Sequence, residues 1–347
     1  MTTPTEAHVA VLIGRFQPFH NGHASLLAAA LAAAPQVVVV LGSSFHARSA
    51  KNPFTWEERA AMITATLSPA ERERVSFIAV RDYYDDKRWA GVVREKVRLR
   101  HPEATRVALV GYFKDASSDY LRRFPQWSLM ALDAAADIDA TRIRRVLFEA
   151  QDIDVSLAVL DPLVPRAVRQ YLKAWSALAN YAPLAAEHAS IEAGKAAWRN
   201  APYPPVFSTV DAVVRTAGHV LLIVRGDHPG KGLWGLPGGF LEQRERVLQG
   251  AMRELVEETG IAVLPSTLEN ALVGVQVFDH PDRSQRGRTI THAHYFDLKA
   301  DHFPEVAGAD DAAHAEWVPI ANLTGMEAQF FDDHFHILDH FLGLTSD

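Results

Sequence analysis

Gly239-Phe-Leu-Glu-Gln-Arg-Glu245, followed by Arg253-Glu-Leu-Val-Glu-Glu-Thr-Gly-Ile261, is the most informative stretch of this 347-residue chain. On a helix Glu254, Glu257 and Glu258 stand at i, i+3 and i+4, so one face carries three carboxylates. Leu248, Ala251 and Leu255 mark an apolar face on the other side. Gly260 suits the left-handed residue that closes a helix. Carboxylates crowded in this way repel one another unless a cation neutralises them. Hard oxygen donors at this density suit Mg²⁺ or Mn²⁺, ions that stabilise charge building on phosphate oxygens. On spacing alone, a solvated acidic helix face explains the same residues.

The surrounding glycines and arginine decide against that simpler explanation. The segment resembles the Nudix box, matching it at Gly239, Glu245, Arg253, Glu254, Glu257, Glu258 and Gly260, with Leu255 and Ile261 at its apolar positions. Residue usage of about 5–7% per fixed position puts chance agreement at roughly 10⁻⁹ per starting point. The approach Leu233-Trp-Gly-Leu-Pro-Gly-Gly239 is also similar to the family's. The resemblance implies an α/β/α Nudix domain with a mixed sheet over residues 206–347, hydrolysing a nucleoside diphosphate linked to another group. It implies metal binding by Glu254, Glu257 and Glu258, with Glu257 and Glu258 central to catalysis. Glu245 adds to the outer shell, Arg253 orients the glutamates, and Gly239 and Gly260 are structural. The general base varies in the family and is left unassigned. Many ADP-ribose-cleaving members carry a proline beyond the box. Gln276 and Val277 occupy that region here and Pro281 comes later, so this half alone leaves the substrate open.

The length favours two domains, and the first half has a different texture. His8 to Ile13, Val37 to Leu41, Val75 to Val80 and Arg106 to Gly111 read as strands, the second a continuous β-branched run suited to burial on both faces. Helical patterns lie between them, at about Gly22 to Ala34, Trp56 to Leu67 and Trp89 to Arg100. The alternation implies right-handed crossovers and a doubly wound parallel sheet of Rossmann type with helices on both faces. Leu163 to Trp198 reads as helical but lies outside the alternation. Asn200-Ala-Pro-Tyr-Pro-Pro205 ends it with prolines that stiffen a connection. The expected organisation is a first domain over 1–180, a helical and proline-rich linker over 181–205, and a second domain over 206–347. In the second, Phe207 to Val214 and His219 to Arg225 read as a hairpin around Thr216-Ala-Gly218, Thr289 to Leu298 as a strand, and Ala328 to Leu342 as a helix.

Gly14-Arg-Phe-Gln-Pro-Phe-His-Asn-Gly-His23 sits between the first strand and the first helix. A strand, a glycine-bearing loop and a helix N-terminus form a natural phosphate site, because free backbone N–H groups and the helix dipole face the anion. His20 and His23 can donate hydrogen bonds to phosphate oxygens. The run resembles the His-x-Gly-His signature of the nucleotidyltransferase superfamily, and its fuller form is most similar to nicotinamide mononucleotide adenylyltransferases of the archaeal and cyanobacterial sort. Ile138-Asp-Ala-Thr-Arg-Ile-Arg144 is similar to a second signature of that superfamily. Thr141 and Arg144 match, while Asp139 stands where serine is usual. Asn52-Pro-Phe-Thr-Trp-Glu-Glu-Arg59 and Gly111-Tyr-Phe-Lys-Asp115 are also similar to family segments. The resemblance implies that His20, His23 and Arg144 act on the ATP phosphates. Gly14, Arg15, Phe16, Gln17 and Thr141 then belong to the ATP and mononucleotide site, and Trp89 or Trp56 stacks on the nicotinamide ring.

The order of the two halves resembles bifunctional nicotinamide mononucleotide adenylyltransferase and Nudix hydrolase proteins. That implies NAD⁺ synthesis from ATP and nicotinamide mononucleotide in the first domain. In the second it implies hydrolysis of ADP-ribose to AMP and ribose 5-phosphate, with Mg²⁺ or Mn²⁺ as cofactor. Two other readings compete: an adenylyltransferase for another acceptor such as pantetheine phosphate beside a Nudix domain of other specificity, and a nucleotide sensor. The complete set of box carboxylates argues against the sensor.

Composition sets the remaining bounds. Hydrophobic content of 48% with 22% charged residues is ordinary for a folded globular chain. A net charge of −7 disfavours partners such as nucleic acid or an anionic membrane. The absence of cysteine removes disulfides, thiolate metal sites and cysteine nucleophiles. No apolar run approaches membrane-spanning length, and the polar start, Met1 to His8, lacks the features of a signal peptide. A cytoplasmic location is expected, and a homo-oligomer is compatible with the helical stretch.

Overall fold

The computed structural model describes residues 7–83, 85–112, 116–132 and 138–345. Phe113, Lys114 and Asp115 of the segment singled out above lie outside the described residues. The chain divides into two compact units, Met1–Ala185 and Ala186–Asp347.

Unit 1 begins β1 (Val9–Gly14), α1 (Asn21–Ala33), β2 (Gln36–Leu41), α2 (Trp56–Thr64), α3 (Pro69–Arg72), β3 (Val75–Ala79), α4 (Asp86–Arg100) and β4 (Val107–Gly111). A 3-10 turn over Ala116–Arg123 then leads to β5 (Ser128–Ala131). The five strands lie in the order β3-β2-β1-β4-β5, and every neighbouring pair is parallel. Val9 and Val11 of β1, with Val38 and Val40 of β2, pack against Ala90, Val93 and Val97 of α4. The alternate residues Ala10, Leu12, Val37 and Val39 are also buried, and α1 packs on β1, β2 and β4. Burial on both faces is why β2 reads as an unbroken apolar run. β5 carries no such signal, because it is a short edge strand with mostly exposed residues.

The strand order reverses at β1, which has β2 on one side and β4 on the other. In open parallel sheets the crevice at that reversal, beyond the carboxyl ends of the strands, is where ligands bind. β1 ends at Gly14, so the loop to α1 opens into this crevice. The chain continues through α5 (Ala140–Phe148), α6 (Ile153–Val159), α7 (Arg166–Ser176) and α8 (Tyr181–Ala197). Most of the stretch expected as a linker is thus occupied by α8, and the division between units falls inside that helix.

Unit 2 contains β6 (Val206–Thr216), β7 (His219–Arg225), β8 (Trp234–Gly235), β9 (Gly238–Phe240), α9 (Val247–Thr259), α10 (Pro265–Ala271), β10 (Leu272–Phe278), β11 (Arg288–Asp297), β12 (Ala312–Pro319) and α11 (His334–Leu342). The sheet runs β10-β11-β6-β7-β12, with β8 on β7 and β9 on β6. It is mixed: β11 and β6 are parallel, and the other pairs are antiparallel. Thr216 pairs with His219, leaving Ala217 and Gly218 as the turn. Both have positive φ, 43° and 76°, as the hairpin turn that matches strand twist requires.

Alternation on β6 divides the core. Ala212 and Val214 pack with Leu221, Phe296 and Leu255 of α9. Val213 packs with Tyr295 and with Phe335, Ile337 and Leu338 of α11. The helix expected over Ala328 to Leu342 starts later, at His334, after a 3-10 turn over Glu327–Gln329. Asp332 interrupts it with φ 41°, and Asp333 is drawn into a buried ion pair with Arg283.

Candidate functional site

In unit 1, His20 caps α1 and His23 lies one turn into it. The His20 Nδ1 accepts from the His23 backbone N–H at 3.4 Å. The two rings stack with centroids 3.6 Å apart and planes 19° apart. Burial and the neighbouring His20 ring hold His23 well below the usual imidazole range. It is therefore neutral at pH 7, and its buried Nδ1 has no protein partner. A buried polar atom without a partner is uncommon in a folded protein. Gly22 belongs to the same device: a Cβ there would stand 3.2 Å from the His20 ring.

The loop preceding His20 is pinned from several sides. Phe16 is buried with φ 51°, a left-handed conformation that a bulky residue keeps only when its surroundings hold it. Its ring lies where a Cβ on Gly14 would be, at 3.0 Å. The Gln17 amide donates to the Phe54 carbonyl at 2.9 Å and accepts from the Phe54 N–H at 3.1 Å. Arg59 is fully buried and donates to the carbonyls of Arg15 at 2.6 Å and Gly42 at 2.7 Å. The segment Asn52 to Arg59 thus ties the loops after β1 and β2 together, a role its helix-cap pattern did not reveal. Thr55 does cap α2, in a reciprocal box with Glu58.

Arg144 joins the second motif to the first. Its guanidinium donates to the Gln17 carbonyl at 2.8 Å and to the Thr141 hydroxyl at 3.2 Å. Burial, then the charge of exposed Arg15, brings it down to about 10, so it remains a cation at neutral pH. Two cations in one crevice attract a polyanion. Asp139 serves as the N-cap of α5, accepting from the Thr141 N–H at 2.8 Å. Either serine or aspartate fills that role, which accounts for the departure from the family pattern. Trp89 packs edge-on to Tyr120 and Phe124, both at 5.9 Å, against the sheet core. Trp56 opens α2 and is half-buried.

In unit 2 the box residues lie on β9, on α9 and in the segment between them. Arg253 grips Glu245 with two bonds, of 3.0 and 2.7 Å, and reaches Glu254 at 2.9 Å and Glu257 at 2.8 Å. The arginine bonds hold the Glu245 carboxyl below its ordinary range. Gly239 lies directly against the Glu254 carboxylate, where a Cβ would stand 2.4 Å from Oε1. Gly260 ends α9 with φ 56° and donates to the Val256 carbonyl. Glu258 is buried and accepts from the Gly238 N–H at 2.8 Å.

Burial and a hydrogen bond with Asp311 push Glu258 up to about 10, and burial raises Glu254 as well. Asp311 was not legible as a site residue, because it carries no motif and lies far beyond the box. Among the described residues no three acidic or imidazole groups stand at metal-holding geometry, and Arg253 spans Glu254 and Glu257 instead. The donor chemistry nevertheless fits a hard divalent cation. Buried carboxylates driven to this extent take up either protons or a cation, and every donor is oxygen.

Comparison with known proteins gives the same division. The cytidylyltransferase-like family model matches residues 11–146, and the NUDIX domain model matches residues 205–341. The chain is 35% identical to the nicotinamide/nicotinic acid mononucleotide adenylyltransferase of Acinetobacter baylyi, over 47% of this chain and 84% of that one. It is 37% identical to the ADP-ribose pyrophosphatase of Methanocaldococcus jannaschii, over 33% of this chain and 62% of that one. Its fold is similar to the crystal structure of a bifunctional NMN adenylyltransferase/ADP ribose pyrophosphatase from Francisella tularensis, complexed with AMP and a Mn ion. The TM-score is 0.88 at 33% identity, covering 97% of this chain and 99% of that one.

Proposed function

This chain belongs to the bifunctional NMN adenylyltransferase/ADP-ribose pyrophosphatase family, and we propose that each unit carries the corresponding activity. Unit 1 transfers the adenylyl group of ATP to nicotinamide mononucleotide, giving NAD⁺ and pyrophosphate. Unit 2 hydrolyses ADP-ribose to AMP and ribose 5-phosphate. The likeness to a bifunctional enzyme over almost the whole of both chains carries this reading.

In unit 1 a phosphate oxygen of the mononucleotide attacks the α-phosphorus of ATP in line, and pyrophosphate leaves. The protein's contribution is positioning and charge neutralisation. His23 offers its buried ring nitrogen to a phosphate oxygen, and His20 keeps that ring in place by stacking. Arg144 and Arg15 balance the charge of the triphosphate, and Gln17 and Arg59 hold the loop that bears Arg15.

In unit 2 the residues that would hold the metal are Glu254, Glu257 and Glu258, with Asp311 beside them. When bound, a divalent cation (Mg²⁺ on this reading) neutralises charge developing on the diphosphate and assists water attack. Arg253 and Glu245 keep the carboxylates oriented, and Gly239 leaves room for Glu254.

The test is to supply the purified protein with Mg²⁺, ATP and nicotinamide mononucleotide, and separately with ADP-ribose. NAD⁺ in the first reaction and AMP in the second are expected on chromatography. Products from another acceptor, with no NAD⁺, would overturn the acceptor assignment while leaving unit 2 untouched.

A further inference from the structure

The unit 2 sheet face turned away from α9 holds a second cluster that the hydrolytic carboxylates do not use. Arg283 is fully engaged there, in a bidentate ion pair with Asp333 at 2.8 and 2.7 Å. Arg286 is not. Its guanidinium lies over the Phe240 ring at 5.1 Å and the Phe331 ring at 6.0 Å, and its buried Nε has no hydrogen-bond partner. Among the described residues no carboxylate stands within ion-pair distance of it. Arg225 adds a second cation over Phe331, at 4.5 Å. A buried donor without an acceptor is costly. Asp332 and Asp211 act on Arg286 only through space, and no hydrogen bond to either takes up its Nε–H.

The position of Phe240 links this cluster to the hydrolytic site. On β9, Phe240 is opposite Thr209 and Gly239 is opposite Val210, so their side-chain directions alternate. The Phe240 ring faces Arg286, whereas Gly239 faces the Glu254 carboxylate. β9 pairs only with β6, so its other edge has no strand partner among the described residues. A diphosphate lying along that edge meets the carboxylates on one side of the strand and Arg286 on the other. Phe240 is 48% exposed, which leaves its ring open to such a ligand.

We propose that Arg286 anchors the diphosphate of a nucleoside diphosphate substrate in unit 2, held flat for that purpose by Phe240 and Phe331. This rests on the hydrolase reading above. A planar guanidinium with a free Nε–H matches phosphate oxygens in a way that a lysine ammonium does not.

The experiment compares Arg286→Gln, Arg286→Lys and Phe240→Leu with the parent protein in two assays. One is ADP-ribose hydrolysis, read as KM and kcat separately. The other is equilibrium binding of ADP-ribose in a Glu257→Gln background, where any difference on changing Arg286 reports on unit 2. Both arginine variants should raise KM, and weaken binding, by about tenfold or more, with no rescue by lysine. Phe240→Leu should move both in the same direction by a smaller factor. Adenylyl transfer in unit 1 serves as the folding control. Unchanged KM and binding in the arginine variants would overturn the anchor, as would a fall in kcat and thermal stability without a change in binding. Should the parent protein bind ADP-ribose through Arg286 but not cleave it, the anchor stands and the hydrolase reading fails.

Discussion

Arg144 donates a hydrogen bond to the carbonyl oxygen of Gln17 at 2.8 Å, joining positions 127 residues apart in the chain. One guanidinium therefore ties α5 to the loop after β1 and also places a positive charge beside it. Replacing it with alanine should lower kcat/KM for adenylyl transfer by about a hundredfold or more. Replacing it with lysine should recover only part of that, since lysine cannot serve Gln17 and Thr141 with one planar fork. ADP-ribose hydrolysis, measured on the same preparations, should stay at the parent level.

Glu257 is half exposed on α9 and is held by Arg253 at 2.8 Å. Glu257→Gln keeps the shape and removes the charge that a cation needs. Hydrolysis should fall by at least about a hundredfold while adenylyl transfer persists. Chelation of divalent ions should abolish hydrolysis reversibly. Loss of both activities in a folded Glu257→Gln protein would sink the independence of the two sites.

Gly239 admits no side chain, because a Cβ there meets the Glu254 carboxyl at 2.4 Å. Gly239→Ala should displace that carboxylate and depress hydrolysis, with little change in overall fold by circular dichroism. Activity equal to the parent would mean that Glu254 can move without consequence.

Arg283 and Asp333 form an ion pair that is 5% and 1% exposed on its two side chains. Removing one partner strands the other in a buried setting. Asp333→Ala should destabilise unit 2 by about 3–5 kcal/mol, read by chemical denaturation. The double variant Arg283→Met with Asp333→Leu should cost clearly less than the single change.

His334 is buried among the same groups, and its Nδ1 accepts from the Leu236 N–H at 2.8 Å. Burial lowers it from 6.5 to about 3, so it stays neutral in the folded protein. The unfolded chain takes up a proton near 6.5 and the folded one does not, so its contribution is intact above that pH and is lost as pH falls towards 3. Unfolding free energy should drop by up to roughly 1.4 kcal/mol per pH unit below 6.5 from this group. In His334→Gln the slope between pH 6.5 and 4.5 should be shallower by that amount.

Much of this was legible in the order of residues. The unbroken run Val37 to Leu41 declared a strand covered on both faces, and Ala217-Gly218 declared a hairpin. The Nudix box announced its helix, its closing glycine and its row of carboxylates. These are local signals, set by backbone preference and by periodicity over a few turns, and they survive without knowledge of distant neighbours. The short edge strand at Ser128–Ala131 gave no such signal, because its exposed residues need no pattern. The late start of α11 was equally silent, since it follows the left-handed turn that Asp332 takes just before the helix.

The sequence by itself determined two nucleotide-handling units, their sheet classes and the residue types in the motif of each. Only tertiary structure decided which groups meet. It placed Arg59 beneath two loops, set Arg144 against Gln17, made Asp139 a helix cap, put Asp311 beside Glu258, and left Arg286 between two phenyl rings without an acceptor. The reason is physical. Burial and charge pairing depend on contacts between segments far apart in the chain, and no local pattern records them.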